Sequence, residues 1–363
     1  MLSRNLRAVA QTQRLTAVRA ANFHSSKPLN EIMTVRDCVR KAMVDEMVKD
    51  DKVFLMGEEV GQYNGAYKVS KGMYDQFGAR RVIDTPITEA GFTGIGVGAG
   101  LTGLKPIIEF MTWNFSLQSI DHIVNSCAKA HYMSNGDLTC PIVFRGINGV
   151  SAGVAAQHSQ CFGAWYASVP GLKVVTPWDG KDNLGLLRAA IQDPDPVVFL
   201  ECEMMYNVEF DMTAEQLDPN WTLPIGKACV EREGKDITIT AFAKMVGFAL
   251  EAAEELKRDH DIDCEVVNLR SLRPLDRETI VSSVKKTNRI VSVEEGWPQH
   301  GVGAEIAGLL MESEAFDYLD APMERVAGTD VPMPYSVSIE QQAIPNPKDI
   351  VKAVLKACYR NKK

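Results

Sequence analysis

Lys173-Val-Val-Thr-Pro-Trp-Asp-Gly-Lys-Asp-Asn-Leu-Gly-Leu-Leu-Arg-Ala-Ala-Ile-Gln-Asp-Pro-Asp-Pro-Val-Val-Phe-Leu-Glu201 decides the fold. Lys173–Pro177 is a short apolar run ended by proline, which reads as a buried strand. Asp179 and Asp182 signal a helix start, and the helical pattern continues to Ile191. Pro196–Glu201 is a second apolar strand. Strand, helix, strand in so short a span is the repeating unit of a parallel sheet covered on both faces.

The same rhythm extends in both directions. Upstream, Val53–Met56, Val82–Asp84, Pro106–Phe110 and Pro141–Arg145 read as strands. Thr34-Val-Arg-Asp37 reads as a capped helix start, with Val35, Val39, Ala42, Met43 and Met47 on one face. A helix is expected over Leu117–Tyr132, from the spacing of Leu117, Ile120, Ile123, Val124 and Cys127. Met205–Pro224 breaks the pattern; it is acidic, holds two prolines and has no strong period, so an interdomain linker is expected over 205–224. Beyond it, strands are expected at Ile237–Phe242, Val266–Leu272, Ile290–Glu294 and Glu324–Gly328. Helices are expected at Val246–Arg258, Asp276–Lys286, Gly303–Met311 and Pro347–Cys358. The fold class is therefore α/β, with two parallel-sheet domains over 31–204 and 225–363 and no obvious internal repeat.

Composition narrows the function classes. Of 363 residues, 45% are hydrophobic and 24% charged, enough for two cores and too apolar for general disorder. No apolar run is long enough to span a membrane. Eight cysteines are scattered singly, without Cys-x-x-Cys spacing, which argues against a zinc site or a disulfide framework. The net charge of −8 argues against nucleic acid as a partner. Residues 1–30 are different: Arg4, Arg7, Arg14, Arg19 and Lys27 occur with no acid, and Leu2, Leu6 and Val9 recur at helical spacing. That is the composition of a mitochondrial transit peptide, with a basic disordered arm as the plainer alternative.

Short motifs taken singly are ambiguous. Gly98-Ala-Gly-Leu-Thr-Gly103 matches the dinucleotide fingerprint, but no strand runs into its first glycine. Small residues there serve close packing of a helix instead. Glu89, flanked by Ile87, Ala90 and Phe92, would be costly to bury alone, and a dipole-favoured helix-start acid is the plain reading. His158 lies in a small-residue, uncharged stretch that suits an imidazole at a pocket wall, though a structural histidine has the same appearance. Ser159 has no assignable triad partner. His122, His131 and His300 show no ligand spacing.

Read together, the segments resemble one family. Phe54-Leu-Met-Gly-Glu-Glu-Val60, Gly65-Ala-Tyr-Lys-Val-Ser70, Asp84-Thr-Pro-Ile-Thr-Glu89 and Glu109-Phe-Met-Thr-Trp-Asn-Phe115 occur in the order seen in β subunits of pyruvate dehydrogenase. So do Gly153-Val-Ala-Ala-Gln-His-Ser-Gln160, Glu294-Glu-Gly-Trp-Pro298 and Asp330-Val-Pro-Met-Pro-Tyr335. The resemblance covers roughly everything after Ile32.

The resemblance implies a transketolase-like chain whose first domain binds the aminopyrimidine of thiamine diphosphate and whose second supports subunit contacts. Glu89 matches the family glutamate that hydrogen-bonds a pyrimidine nitrogen and favours the imino tautomer; an apolar setting strengthens that bond. Met111 and Phe115 match residues lining the pyrimidine, with Ile87 beside it. His158 matches an active-site histidine near the substrate and the lipoyl entrance. Ile142, Ala190, Ile191, Asp193 and Asp195 match positions that hold a structural potassium ion, mainly through main-chain oxygens; Asp195 is often Asn in the family. Asp320 matches an aspartate that helps dock the dihydrolipoyl acetyltransferase. His300 stands where Phe is expected and is assigned no role.

The implied assembly is a heterotetramer of two α and two β chains in the mitochondrial matrix, acting on pyruvate and lipoyl domains. This sequence has neither Gly-Asp-Gly nor Asn-Asn, the usual magnesium and diphosphate motifs, so magnesium is expected on the α chain. Two rivals remain at this level. One is the branched-chain 2-oxo acid dehydrogenase β subunit; the other is a non-catalytic docking scaffold.

Overall fold

The computed structural model describes residues 30–151 and 153–360. The transit segment expected over 1–30 lies, Asn30 apart, outside the described residues. In chain order the strands are β1 (Glu31–Thr34), β2 (Val53–Gly57), β3 (Val82–Asp84), β4 (Lys105–Thr112), β5 (Val143–Ile147), β6 (Lys173–Val175) and β7 (Val197–Glu201). There follow β8 (Glu209–Met212), β9 (Cys229–Arg232), β10 (Ile237–Ala241), β11 (Cys264–Asn268), β12 (Ser271–Arg273), β13 (Ile290–Val293) and β14 (Glu324–Val326).

The first large sheet has the order β12-β6-β7-β5-β4-β2-β3, parallel except for β12. The second has the order β14-β13-β10-β11-β9, parallel except for β9. Strands β2, β5, β7, β10, β11 and β13 are buried along their whole length, which is why they read as unbroken apolar runs. Helix Val35–Lys49 starts at Thr34, whose side chain accepts from Asp37 N. It buries Val35, Val39, Ala42, Met43 and Met47 and packs on helix Gly180–Gln192, capped by Asp179.

Three segments carry structure that their sequence does not announce. Residues 205–224, expected as an interdomain linker, are ordered: β8 pairs antiparallel with β1, and buried Arg188 donates to the carbonyls of Gln216, Asp218 and Trp221 at 2.9–3.1 Å. Their order comes from backbone pairing and one guanidinium, neither of which leaves an apolar period. The expected helix Leu117–Tyr132 is broken into a 3₁₀ turn (Trp113–Ser119), a π turn (His122–Cys127) and a short α turn (Ala130–Met133). Apolar spacing cannot tell these helix types apart. The expected strand Val266–Leu272 bends at Arg270, whose φ is +56°. Its last part becomes β12 and joins the other sheet, with Thr176 N donating to Arg270 O at 2.7 Å. Arg270 is held there by Asp182 at 2.7 Å, so a buried ion pair joins the two halves of the chain.

Candidate active site

Strands β5, β4, β2 and β3 lie side by side and point the same way. The chain leaves β2 for β3 on one side and returns to β4 on the other. The reversal falls at the carboxyl ends of β2 and β4, the position at which parallel sheets characteristically offer a crevice for ligands. Each strand delivers a side chain to this edge. Glu58 follows β2, Glu89 begins the helix after β3, Met111 lies near the end of β4, Phe115 in the 3₁₀ turn that follows it, and His158 lies beyond β5.

Glu89 is the first residue of helix Glu89–Leu101, and its carboxylate is buried. An acid in a first turn meets the positive end of the helix dipole. Its neighbour is a second buried acid, Glu58. Burial, then the nearby Glu89 charge and a hydrogen bond to Glu89, push the Glu58 carboxyl up from 4.5 to about 7. One oxygen of each acid, Glu58 Oε1 and Glu89 Oε2, is buried with no hydrogen-bond partner in the chain. The hydroxyls of Thr85, Thr93 and Ser159 are likewise unpartnered. Buried polar atoms left without partners are costly, so a ligand or partner that supplies donors is expected beside them. Glu58 was not singled out from sequence. The available signal was its place directly after a strand, in Gly57-Glu-Glu-Val60.

The apolar wall lies under the helix. Phe92 is buried and its ring centroid is 6.0 Å from that of Phe110, which meets Trp113 edge-on at 5.3 Å. Ile87, expected beside the pyrimidine, is 79% exposed in this chain, because the turn before the helix carries it outward. The exposed face of this helix is Ala90, Gly91, Ile95 and Gly98, which leaves room for another backbone to approach closely. The fingerprint-like Gly98 and Gly100 lie inside the same helix rather than after a strand.

His158 and Phe115, from two separate 3₁₀ turns, meet edge to face with ring centroids 5.3 Å apart. The His158 loop is fastened from the second half of the chain. Val150 N donates to Glu295 Oε1 at 2.6 Å, and Gly153 N donates to Glu340 Oε2 at 3.0 Å. Glu295 is itself paired with buried Lys244 at 2.8 Å. Gln160 completes the loop's anchorage by donating from N and Nε2 to Asn114 Oδ1 at 3.2 and 3.1 Å. Gly149 must be glycine: its φ is +83°, and a Cβ would sit 2.6 Å from Glu295 Oε2.

Away from this crevice, Ala190, Ile191 and Asp193 form the end of helix Gly180–Gln192. Ile142 is brought to the same region by Val197 N, which donates to its carbonyl at 2.9 Å. The carboxylates of Asp193 and Asp195 are both held by Lys173 Nζ, at 2.6 and 3.1 Å. Asp320 lies far along the second domain, its side chain 58% exposed and 3.4 Å from Arg289.

A parallel sheet with buried acids at its carboxyl edge, joined to a second parallel-sheet domain, defines a transketolase-type chain. Family models agree: residues 31–209 match the transketolase pyrimidine binding domain and residues 226–350 the transketolase C-terminal domain. A chain described as split gene transketolase, inactive β4 tetramer, superposes with a TM-score of 0.73 at 23% identity, covering 91% of this chain and 99% of that one, a likeness of fold. Pyruvate dehydrogenase E1 component subunit beta-1, mitochondrial, of Oryza sativa subsp. japonica is 61% identical over 96% of this chain and 93% of its own length. The protein of the same name from Arabidopsis thaliana is 60% identical over 97% of both. The chain belongs to the family of mitochondrial pyruvate dehydrogenase E1 component β subunits.

Proposed function

We propose that this chain supplies the pyrimidine side of a thiamine-diphosphate site whose other side comes from an α subunit. The enzyme so formed is mitochondrial pyruvate dehydrogenase (acetyl-transferring), which decarboxylates pyruvate oxidatively and passes the acetyl group to lipoyl groups. The observation that carries the proposal is the pair Glu58–Glu89, buried with an unpartnered oxygen on each side chain. The pyrimidine fits there: its ring nitrogen accepts from a protonated carboxyl and its amino group donates to an ionised one, so it offers partners to both acids.

Bound thiamine diphosphate supplies the nucleophilic carbon and electron sink that a 2-oxo acid needs to lose carbon dioxide. Glu89 holds a proton at the pyrimidine ring nitrogen. Glu58, raised by burial and by the Glu89 charge to about 7, is readily protonated beside it, which eases the repulsion between the two acids. Met111 and Phe115 hold the ring by its apolar faces. His158, steered by Phe115, offers its imidazole as proton donor during acetyl transfer. The diphosphate and magnesium rest on the α subunit. The small-residue face of helix Glu89–Leu101 is where close subunit packing would complete the site, in a heterotetramer of two α and two β chains.

A potassium ion fits the main-chain oxygens at Ile142, Ala190, Ile191, Asp193 and Asp195. The end of a helix carries partial negative charge and a carbonyl oxygen has a second lone pair to offer, while the two aspartate side chains are taken by Lys173. Asp320 contributes to the docking of dihydrolipoyl acetyltransferase. The division of labour follows the chain as 31–204 for the pyrimidine, 205–224 as connection and 225–363 for subunit and loop support.

Calorimetric titration tests the shared site. The purified chain alone should show no micromolar binding of thiamine diphosphate with magnesium, and co-purified α and β chains should bind it and decarboxylate pyruvate in preference to a branched 2-oxo acid. Micromolar binding without an α chain would refute the shared site. A preference for the branched acid would move the chain to the branched-chain enzyme.

A further inference from the structure

Cys127 and Cys140 meet inside the first domain, apart from the acids of the candidate site. Their sulfurs are 3.0 Å apart, and both are free thiols. Cys127 ends the π turn His122–Cys127, and Cys140 lies just before β5. Among the described residues, no other two thiols are in such contact. Two buried cysteines can simply serve as small apolar fillers. Three features of their surroundings go beyond that.

The first is access. Cys127 and Cys140, themselves only 1% and 3% exposed, border a cavity of about 350 Å³ whose wall also includes His131, Tyr132, Lys173 and Arg273. A water occupies roughly 30 Å³ of liquid, so a molecule the size of hydrogen peroxide has ample room. The second is reach: a disulfide bond is about 2.0 Å long, so closure asks the sulfurs to move together by about 1 Å. The third is freedom to move. Cys127 closes a wide turn, in which Ala128 N donates to Ile123 O at 3.0 Å, and wide turns of this kind recur at functional sites. Gly100 faces Cys140, and a Cβ there would sit 3.1 Å from its sulfur, so the thiol keeps its place beside the helix only because that residue is glycine.

We propose that Cys127 and Cys140 form an oxidation site for small peroxides and close to an intrachain disulfide. One thiol, losing its proton, attacks a peroxide oxygen. The O–O bond breaks, a sulfenic acid forms and the first water leaves. The second sulfur, also losing its proton, attacks the sulfenic sulfur. The S–O bond breaks and the second water leaves. Two thiols and one hydrogen peroxide thus give one disulfide and two waters; the sulfurs lose two electrons and the peroxide gains them. A dithiol reductant reverses the change by exchange. The cross-link ties the π turn to the segment before β5; the turn packs on the helix that begins at Glu89 through His122 at Gly94, and Cys140 packs on it at Gly100. Oxidation therefore fastens together two segments that flank that helix.

Peptide mapping tests this on the assembled α–β enzyme. The enzyme is treated with graded hydrogen peroxide, free thiols are blocked with N-ethylmaleimide, and the unreduced protein is digested with trypsin. Lys129 lies between the two cysteines, so cleavage separates them unless a disulfide holds them. The expected result is one cross-linked peptide pair carrying Cys127 and Cys140, abolished by dithiothreitol and absent from Cys140→Ala and from Cys127→Ala. Sulfoxide at exposed methionines such as Met133 and Met311 reports the peroxide dose. Recovery of both cysteines as separate maleimide adducts, or as unlinked sulfinic acids, at doses that oxidise those methionines would overturn the proposal. So would a disulfide from either cysteine to any other residue.

Discussion

Glu58 and Glu89 leave different strands of one sheet and bring their carboxyl groups together in a buried setting, where burial and the Glu89 charge raise Glu58 to about 7. The folded chain therefore holds a proton that the unfolded chain, at the ordinary value of 4.5, releases. Between about pH 4.5 and 7 the folded state binds more protons than the unfolded state, so this group's contribution to stability falls as pH rises and is lost above about 7. Glu58→Gln removes the titration. Thermal midpoints of the cofactor-free chain at pH 5.5 and pH 8, each about a unit or more to either side of that value, measure the effect. The variant should gain on the wild type as pH rises; a gap independent of pH would show that Glu58 is not the titrating group.

Glu89→Gln should leave α–β assembly intact and slow proton loss from the thiazolium carbon by roughly 10²–10⁴-fold, the usual scale for an acid–base group. Deuterium exchange at that carbon in the assembled enzyme reads this directly. An unchanged exchange rate removes Glu89 from the proton path.

Glu340 reaches the His158 loop from the second domain, and Gly153 N donates to its carboxylate at 3.0 Å. A hydrogen bond to a charged group outweighs a neutral one by about 1 kcal/mol. Glu340→Gln should therefore loosen the loop by about fivefold, seen as faster amide hydrogen exchange between Gly153 and His158. Acetyl transfer to lipoyl groups should suffer more than decarboxylation with an artificial electron acceptor. Equal losses in both reactions would place the effect elsewhere.

Asp320→Ala should weaken association with the acetyltransferase while sparing decarboxylation. A desolvated interface charge costs about 2–5 kcal/mol when its partner is stranded, and a rim charge far less. Arg289, 3.4 Å away, must give up or share its contact for docking to occur. Titration of the acetyltransferase subunit-binding segment against both forms measures the difference, and equal affinity would exclude Asp320 from the interface.

The α/β class, the position of most strands and the location of Glu89 at a helix start were all legible in the chain itself. Each rests on local information: apolar runs of strand length, capping residues, and glycine and proline at turns. Lys173–Val175 and Val197–Glu201 are strands in the same sheet because a short helix between them permits only a crossover to a parallel neighbour. Pairings between distant segments left no such mark. Nothing near Arg270 announces that the chain turns there and gives β12 to the other sheet, because Asp182, 88 positions away, decides it. The same holds for Glu58 with Glu89, for Glu340 with Gly153 and for Cys127 with Cys140. Each of these partners looks ordinary in its own segment and acquires its chemistry only from burial beside the other. Local sequence determines which elements form, since propensity and period act over a few residues. Tertiary packing alone decides which charges and thiols are desolvated together, since that depends on strand order.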